Sequence, residues 1–364
     1  MASKAPIPVT ILAGSFGAGK TTACNELLTL LAPSKAKVAV IAHRFAEEYL
    51  CQPLVVDPSQ CELLEEVYDY GSGCLCCTPG GELNQRLNSM TMWGEQYDHV
   101  IIRTGPAADP MIFADAVQRS SAYGIAGIVT VVDADVPCFA DQLTGAALDQ
   151  LLAADVLLVR GEEVPSAALQ QALEQKDVTA PAFWWNGPLR TEQLQPLLNC
   201  RRAQREYACK PSQLIPNLVG AVHDTALRSV QIVENGTVDL EAFERWVLAL
   251  MRQGYCIRLK AVLPVDTESG RQALLVNAVR GQPVELRLVP EAPSQVYMGD
   301  LQTLINGMKA LDYGQPIARM FIALAPPSVK GLGDMADLFD AMPSNDDLID
   351  GFTEDVLATQ PSKL

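Results

Sequence analysis

Gly14–Thr21 has the sequence GSFGAGKT, and this stretch decides the fold of the first half of the chain. It fits the pattern G-x-x-x-x-G-K-[ST], with the apolar run Val9–Ala13 before it and a helical pattern, Lys20–Leu31, after it. Glycines let successive backbone N–H groups turn inward around a phosphate, and the N-terminus of the following helix adds the positive end of its dipole. The stretch therefore predicts a phosphate-binding loop between a buried strand and a helix.

The residues of this loop have distinct predicted roles. Lys20 would reach the outer phosphates of a nucleotide, and the hydroxyl of Thr21 would hold Mg²⁺, so these two are the candidate catalytic residues. The residues predicted to bind the nucleotide through the loop are Gly14, Phe16, Gly17, Ala18, Gly19, Lys20, Thr21 and Thr22.

Strand-like runs and helical patterns alternate over the first 200 residues or so. Such alternation predicts an α/β domain with a mostly parallel sheet that is covered by helices. The predicted strands are Val9–Ala13, Val38–Ala42, Val100–Ile102, Ile128–Val132, Val156–Val159 and Ala182–Trp185.

The pattern changes near residue 200. A polar, proline-containing stretch predicts a linker over 201–228. In Tyr255–Val265 apolar residues alternate with polar ones, which is typical of an antiparallel strand with one buried face. We therefore expect a nucleotide-binding domain over 1–200 and a smaller α+β domain over 229–325.

The last segment, 326–364, is acidic and is expected to be a loosely attached tail. A docking segment for a partner is the alternative, because four apolar residues would share one face of a helix. These residues are Leu348, Ile349, Phe352 and Val356.

The composition excludes several classes of function. The chain has 364 residues, 43 acidic and 27 basic, with a formal net charge of −16. A surface this acidic repels phosphate backbones and anionic lipids, so neither a nucleic acid nor a membrane is an expected partner. No apolar run approaches the roughly 18 residues of a membrane span, and no signal peptide precedes the loop, so we expect a cytoplasmic protein.

Three of the ten cysteines, Cys74, Cys76 and Cys77, crowd into four positions. Thiolates are soft ligands for Zn²⁺, Cu(I) or iron, and three of them leave one coordination position open. An open site suits a metal ion that must later leave the protein. Redox chemistry and incidental buried cysteines are the alternatives.

The phosphate loop and the cysteine cluster, in this order and at this spacing, resemble the CobW-like family of P-loop GTPases. These proteins are relatives of HypB and UreG and are implicated in metal trafficking. The resemblance covers about residues 7–315 and implies a P-loop NTPase domain followed by a CobW-type C-terminal domain. Its further segments are Asp98–Ile102, Ala108–Pro110, Val131–Ala134, Ala154–Val159 and Arg258–Ala261.

The resemblance implies a nucleotide-dependent metallochaperone or metalloenzyme activator. GTP or another purine nucleotide would bind with Mg²⁺, and the Cys-x-Cys-Cys site would bind a transition metal, Zn²⁺ before iron or cobalt. The implied partner is a client metalloprotein, and a homodimer is compatible with this function. Glu47 falls in register with the family's first switch and is a candidate metal ligand, while Glu163 falls in the base-reading motif and would bind the purine.

The chain departs from the family's pattern in three places. Where the family has Glu followed by Thr-Ser-Gly, Arg103–Pro106 has the sequence RTGP. The guanine-reading Asn-Lys-x-Asp is replaced by RGEE at Arg160–Glu163, and the first switch has HRFAE at His43–Glu47. Arg103 places a cation where a carboxylate normally supports Mg²⁺, and Pro106 lacks a backbone N–H for the γ-phosphate, so both changes act against hydrolysis.

These departures keep other hypotheses open. The chain could be a non-hydrolysing nucleotide-binding scaffold that acts through contacts with partners. A small-molecule kinase that uses the same loop is a third hypothesis, although no catalytic base stands out for it. The altered base-reading motif also leaves the choice between GTP and ATP open.

Overall fold

The computed structural model divides into two compact units, and each is described by itself. One contains the described residues up to 207 and the other contains those from 228 onward. The structure describes residues 5–45, 61–68, 83, 87–88, 90, 97–106, 108–134, 145–161, 167–202, 207, 228–268, 270–280, 284–290, 317–324 and 343–357.

The first unit is built on a parallel sheet, as the sequence predicts. Its strands are β1 Ile7–Gly14, β2 Val38–Phe45, β3 Cys61–Tyr68, β4 His99–Arg103, β5 Tyr123–Asp133, β6 Val156–Arg160 and β7 Ala182–Trp185. They lie in the order β3-β2-β4-β1-β5-β6-β7 and every neighbouring pair is parallel. The loop-bearing strand β1 is therefore central, with β4 and β5 on its two sides.

Helices cover both faces of this sheet. The helices are α1 Lys20–Leu31, α2 Pro110–Gln118, α3 Gly145–Ala153, α4 Ala167–Gln175 and α5 Thr191–Leu198. The buried residues of α1 and α5 share one core cluster, and those of α2 share another with the opposite sides of β1 and β4. The α/β prediction is confirmed, and the described helices include none that is long and apolar enough to cross a membrane.

Strand β3 was not predicted from the sequence. It has the sequence CELLEEVY and pairs only with β2, at the edge of the sheet. An edge strand is not enclosed by neighbours on both sides, so it tolerates charged residues that a central strand would not. The three glutamates therefore hide the strand from a search for apolar runs.

The second unit contains a five-stranded antiparallel sheet. Its strands are β8 Arg228–Asn235, β9 Cys256–Thr267, β10 Gly270–Val279, β11 Glu285–Pro290 and β12 Ile317–Leu324, in the order β11-β10-β9-β12-β8. Its helices are α6 Leu240–Arg252 and α7 Asn345–Val356. The predicted alternation in β9 is present, because Leu259, Ala261 and Leu263 belong to the core cluster that also contains residues of both helices.

Helix α7 corrects the expectation of a loosely attached tail. Leu348, Phe352 and Val356 are buried in the core of the second unit, and Ile349 packs against it. The ring of Phe352 meets Trp246 of α6 edge to face, with 5.5 Å between the ring centroids. The apolar face of this helix is therefore occupied by its own unit, which removes the reason to expect an exposed docking segment.

The predicted linker begins inside the first unit. Tyr207 is fully buried, and its hydroxyl donates to Asp155 Oδ2 over 2.6 Å. Arg202 Nε donates to the backbone oxygen of Asp155 over 3.3 Å. These contacts hold residues of the predicted linker on the sheet, and the rest of it, 208–227, lies outside the described residues.

Gly127 lets the segment after α5 cross close to β5. Its φ is +150°, and the pairing of β1 with β5 shifts register at this point. The backbone N–H of Arg201 donates to the oxygen of Ala126 over 2.7 Å. A Cβ on Gly127 would lie 2.8 Å from that nitrogen and would overlap Cys200 Sγ.

Replacing Gly127 by Ala should lower the free energy of unfolding by about 3 kcal/mol, because it adds a steric overlap to the cost of a left-handed φ. Gly187 is a matched control, since its φ is +104° and nothing lies within 4 Å of an added Cβ. Gly187→Ala should therefore show only the smaller cost of backbone strain, about 1–2 kcal/mol. Urea denaturation of both variants measures the difference, and equal losses would mean that no overlap exists at Gly127.

His99 is a neutral, buried histidine at the start of β4. Its Nε2 lies 2.8 Å from Thr10 Oγ1, and the hydroxyl of Thr10 donates to the backbone oxygen of Leu198 over 3.1 Å. The ring nitrogen therefore donates to Thr10. Burial lowers the pKa of His99 from 6.5 to about 4.

This lowered pKa predicts a loss of stability in mild acid. The unfolded chain takes up a proton on His99 as the pH falls below 6.5, whereas the folded chain does so only near 4. Between pH 7 and pH 5 the free energy of unfolding should fall by about 2 kcal/mol through this group. Urea unfolding of wild type and His99→Gln at both pH values isolates the effect, and identical pH dependence would contradict it.

Candidate functional site

All seven parallel strands of the first unit bring their carboxyl ends to one edge of the sheet. The end residues that bear on the site are Gly14 of β1, Arg103 of β4, Asp133 of β5, Arg160 of β6 and Trp185 of β7. Ligands of open parallel sheets bind beyond the carboxyl ends of the strands, so this edge is the candidate site.

The loop after β1 has the backbone that its glycines allow. The φ angles of Gly14, Gly17 and Gly19 are +146°, +71° and +103°. At Gly14 a Cβ would lie 2.5 Å from the backbone oxygen of Val131, so only glycine fits between β1 and β5. Gly19 caps the N-terminus of α1 without a side-chain hydrogen bond. No side chain caps the first N–H groups of α1, which leaves these groups available to bind a phosphate.

Lys20 lies inside the curve of this loop. Its side chain is buried, and Nζ donates to the backbone oxygens of Gly14 and Ser15 over 2.7 and 2.9 Å. These bonds hold the ammonium group beside the loop, where it can reach the phosphates of a bound nucleotide.

Thr21, the predicted Mg²⁺ ligand, faces Arg103. Arg103 Nη1 donates to Thr21 Oγ1 over 3.5 Å, and the arginine side chain is only 6% exposed. Its Nε has no hydrogen-bond partner within the described residues. The positive charge also acts on Cys24, one turn further along α1: burial raises the pKa of that thiol to about 12, and the guanidinium opposes the rise.

This arrangement does not fit a magnesium ion. Mg²⁺ requires a near-octahedral shell of oxygen atoms at 2.0–2.1 Å. The hydroxyl of Thr21 instead accepts a hydrogen bond from a cation, and no ion pair joins Arg103 to a carboxylate in the described part of the chain. Glu47, the other candidate metal ligand, lies outside the described residues.

The base-reading end of the site carries a second arginine. Arg160 forms an ion pair with Asp133, the last residue of β5. Its Nη1 lies 3.8 Å from the point where a Cβ on Gly19 would stand, so this cation is next to the phosphate loop. From the sequence, Arg160 was noted only because it replaces an asparagine of the base-reading motif. The ion pair could have been inferred from the ends of the two neighbouring strands, since β6 ends in Arg160 and β5 ends in Asp133.

Trp185 is buried and packs against the phosphate loop. It is only 4% exposed, and its ring lies 3.3 Å from the position of an added Cβ on Gly19. The indole N–H donates to Glu26 Oε2 over 3.0 Å. The backbone N–H of Leu189 donates to the same oxygen over 2.7 Å.

Gln150 holds the segment that follows β4 and was missed by the sequence analysis. Its buried side-chain amide donates to the backbone oxygens of Pro106 and Ala108 over 3.1 and 2.9 Å. Asp109 then caps α2 by accepting the N–H of Met111 over 2.8 Å. A glutamine within the otherwise apolar face of α3 was the available signal, because a buried amide needs partners.

The predicted metal ligands Cys74, Cys76 and Cys77, and the predicted base-binding residue Glu163, lie outside the described residues. Among the residues that are described, no group of three or more His, Cys, Asp or Glu side chains could hold a metal ion. Burial raises the pKa of the described thiols Cys24, Cys200 and Cys256 to about 12, so each stays protonated at neutral pH. A protonated thiol is a poor metal ligand.

Comparison with known proteins agrees with this geometry. Residues 8–180 match the family described as CobW/HypB/UreG, nucleotide-binding domain. That range contains the phosphate loop, Arg103 and Arg160. Residues 8–180 are a CobW/HypB/UreG nucleotide-binding domain.

Named relatives match parts of the chain. The chain is 33% identical over 135 residues to zinc-regulated GTPase metalloprotein activator 1 of Schizosaccharomyces pombe, which covers 35% of this chain and 32% of that protein. It is 29% identical over 191 residues to the zinc chaperone YjiA of Escherichia coli, with 49% of this chain and 57% of YjiA covered. The chain thus spans about a third to just over half of the length of these relatives.

Solved structures give a weaker likeness. The crystal structure of Zn(II)-bound YjiA GTPase from E. coli aligns with 97% of this chain and 99% of its own, at 18% sequence identity and a TM-score of 0.38.

The CobW/HypB/UreG domain predicts a direct test of the loop. Replacing Lys20 by Ala should weaken binding of fluorescently labelled GTP and ATP by at least about tenfold, because a charge-assisted contact with the phosphates is lost. Lys37→Ala is the control, since it removes the same charge at a distance from the loop. Lys37 precedes β2 at the amino-terminal edge of the sheet, where its Nζ lies over the ring of Tyr97. Equal affinities of the two variants would show that Lys20 does not contact the nucleotide.

Proposed function

We propose that this protein is a purine-nucleotide-dependent metallochaperone or metalloenzyme activator. The observation that carries the proposal is the phosphate loop at the carboxyl edge of the sheet, with Lys20 held inside it, in a domain of the CobW/HypB/UreG family. Relatives named zinc chaperones or zinc-regulated GTPase metalloprotein activators support this class of function. The nucleotide would be GTP or ATP.

The proposed cargo is a transition-metal ion, with Zn²⁺ as the first candidate. Cys74, Cys76 and Cys77 would bind it as thiolates with one coordination position left open for a ligand from the client. A client metalloprotein would then receive the ion. Zinc also appears in the names of the relatives, whereas the resemblance to the family is equally compatible with iron or cobalt.

The chain offers a route by which nucleotide could affect the metal. The cysteines lie between β3 and β4 in the sequence, and β2 pairs with both of these strands. The end of β4 is also where Arg103 contacts Thr21 of the phosphate loop. The segment that carries the cysteines begins after Tyr68, the carboxyl end of β3, so it starts at the same edge of the sheet as Arg103 and the phosphate loop. Such coupling requires that metal affinity differ between nucleotide states.

The expected outcome is a zinc affinity that changes at least about fivefold when a non-hydrolysable GTP or ATP analogue is added. Competition titration with a zinc indicator measures the affinity, and elemental analysis of protein purified without chelator identifies the metal. Cys76→Ala should abolish zinc binding. Cys200→Ala is the control, because burial keeps that thiol protonated. Equal zinc affinities with and without nucleotide would refute nucleotide gating.

A non-hydrolysing nucleotide-binding scaffold is the second candidate. It is favoured by the guanidinium of Arg103 on Thr21, which stands where hydrolysis in P-loop enzymes requires a metal ion. Single-turnover measurement of phosphate release separates the two. Release that is lost in Lys20→Ala supports the nucleotide-hydrolysing chaperone, whereas nucleotide binding without release supports the scaffold.

A further inference from the structure

We infer that Arg103 takes the place of Mg²⁺ at the phosphate loop, so that this site binds a nucleoside triphosphate without a divalent metal ion. The inference rests on the proposed function only in assuming that the loop binds a nucleotide. It is independent of the metal cargo, of the cysteines and of any client.

The register of the sheet places Arg103 at the loop. β4 pairs in parallel with β1, with Arg103 beside Leu12 and Ile101 beside Thr10. Ile101 belongs to the core cluster shared with α1, and Arg103 is two residues further along the same strand. Side chains two residues apart on a strand share a face. Arg103 therefore points toward α1, where its guanidinium reaches Thr21.

Within the described residues, no carboxylate forms an ion pair with Arg103. Arg103 is 6% exposed, its Nε has no hydrogen-bond partner within the described residues, and its Nη1 donates to a neutral hydroxyl, that of Thr21. Lys20 and the N-terminus of α1 add further positive charge nearby. A buried cation in such a place is costly without an anion. The phosphates of a nucleotide are the anion that the adjacent loop is built to hold.

Two other charged side chains near the loop, both among the described residues, already have partners. Arg160 is paired with Asp133, and Glu26 accepts hydrogen bonds from Trp185 and Leu189. Among the described residues at the carboxyl edge, Arg103 is thus the guanidinium with a buried nitrogen left for a ligand.

A magnesium ion on Thr21 would conflict with this guanidinium. At its usual distance from the hydroxyl oxygen, the ion would lie within about 6 Å of Arg103 Nη1, and the two positive charges would repel. A guanidinium, in contrast, can donate to two phosphate oxygens at once through its planar fork. Arg103 can therefore supply the charge that a metal ion normally contributes to phosphate binding, without an octahedral shell of oxygen ligands.

The test compares nucleotide binding with and without divalent metal. The full-length protein is titrated against N-methylanthraniloyl-labelled GTP and ATP, once with excess EDTA and once with excess MgCl₂. The inference expects the Kd in EDTA to be lower than the Kd in MgCl₂ or to exceed it by less than about threefold. A Kd that rises threefold or more in EDTA overturns the inference.

A variant sharpens this comparison. Arg103→Glu restores a carboxylate beside Thr21 and should make binding depend on Mg²⁺, with a Kd at least about tenfold higher in EDTA than in MgCl₂. Arg119→Glu makes the same change of charge at the exposed end of α2 and should keep the wild-type pattern. Arg103→Glu that binds equally in both buffers overturns the inference.

A second variant at the same position, Arg103→Met, tests the inference if Arg103→Glu does not fold. If Arg103→Glu fails to fold, Arg103→Met keeps the apolar stem and should raise the Kd in EDTA at least about tenfold; an unchanged Kd overturns the inference. If neither variant folds, the wild-type comparison decides. Binding in MgCl₂ alone refutes the inference and leaves the proposed function standing, whereas no binding in either buffer refutes both.

Discussion

The parallel pairing of β1 with β4 and β5 is the constraint on which the candidate site depends. It brings the ends of the three strands to one edge, so that the loop after Gly14 lies next to Arg103 on one side and Asp133 on the other. The approach at Gly14 is so close that a methyl group would overlap the backbone of β5. The loop is thus held by backbone contacts that do not depend on a bound ligand.

Charge distinguishes this edge from the site that the resemblance implies. Arg103 and Arg160 stand where the resemblance implies a carboxylate and an asparagine, and the structure gives the two arginines different surroundings. Arg160 is neutralised by Asp133, whereas Arg103 meets only the hydroxyl of Thr21 among the described residues. The same scaffold therefore presents a more positive cradle, in a protein whose net charge is strongly negative.

Much of the fold could be predicted because parallel strands buried on both faces leave continuous apolar runs between loops. β3 could not, since glutamates interrupt its sequence. β12 was also missed, although Met320, Ile322 and Leu324 on one of its faces are buried. The apolar stripe of α7 was visible in the sequence. The surface that covers it was not, because it includes α6, which lies about a hundred residues earlier in the chain. The phosphate loop was predicted from its spacing together with the apolar run before it and the helical pattern after it. The contact of Arg103 with Thr21 required the strand register, which no local pattern contains.

The position of α7 has a consequence for the order in which the two units are completed during synthesis. Its residues Phe352 and Val356 fill the core of the second unit, and the backbone N–H of Asp239 donates to the oxygen of Val356 over 3.0 Å. The first unit has all its described strands and helices once residue 207 has left the ribosome. The second unit lacks part of its core until the residues of α7 emerge, so apolar surface on α6 and β8 is exposed to chaperones and to aggregation during that interval.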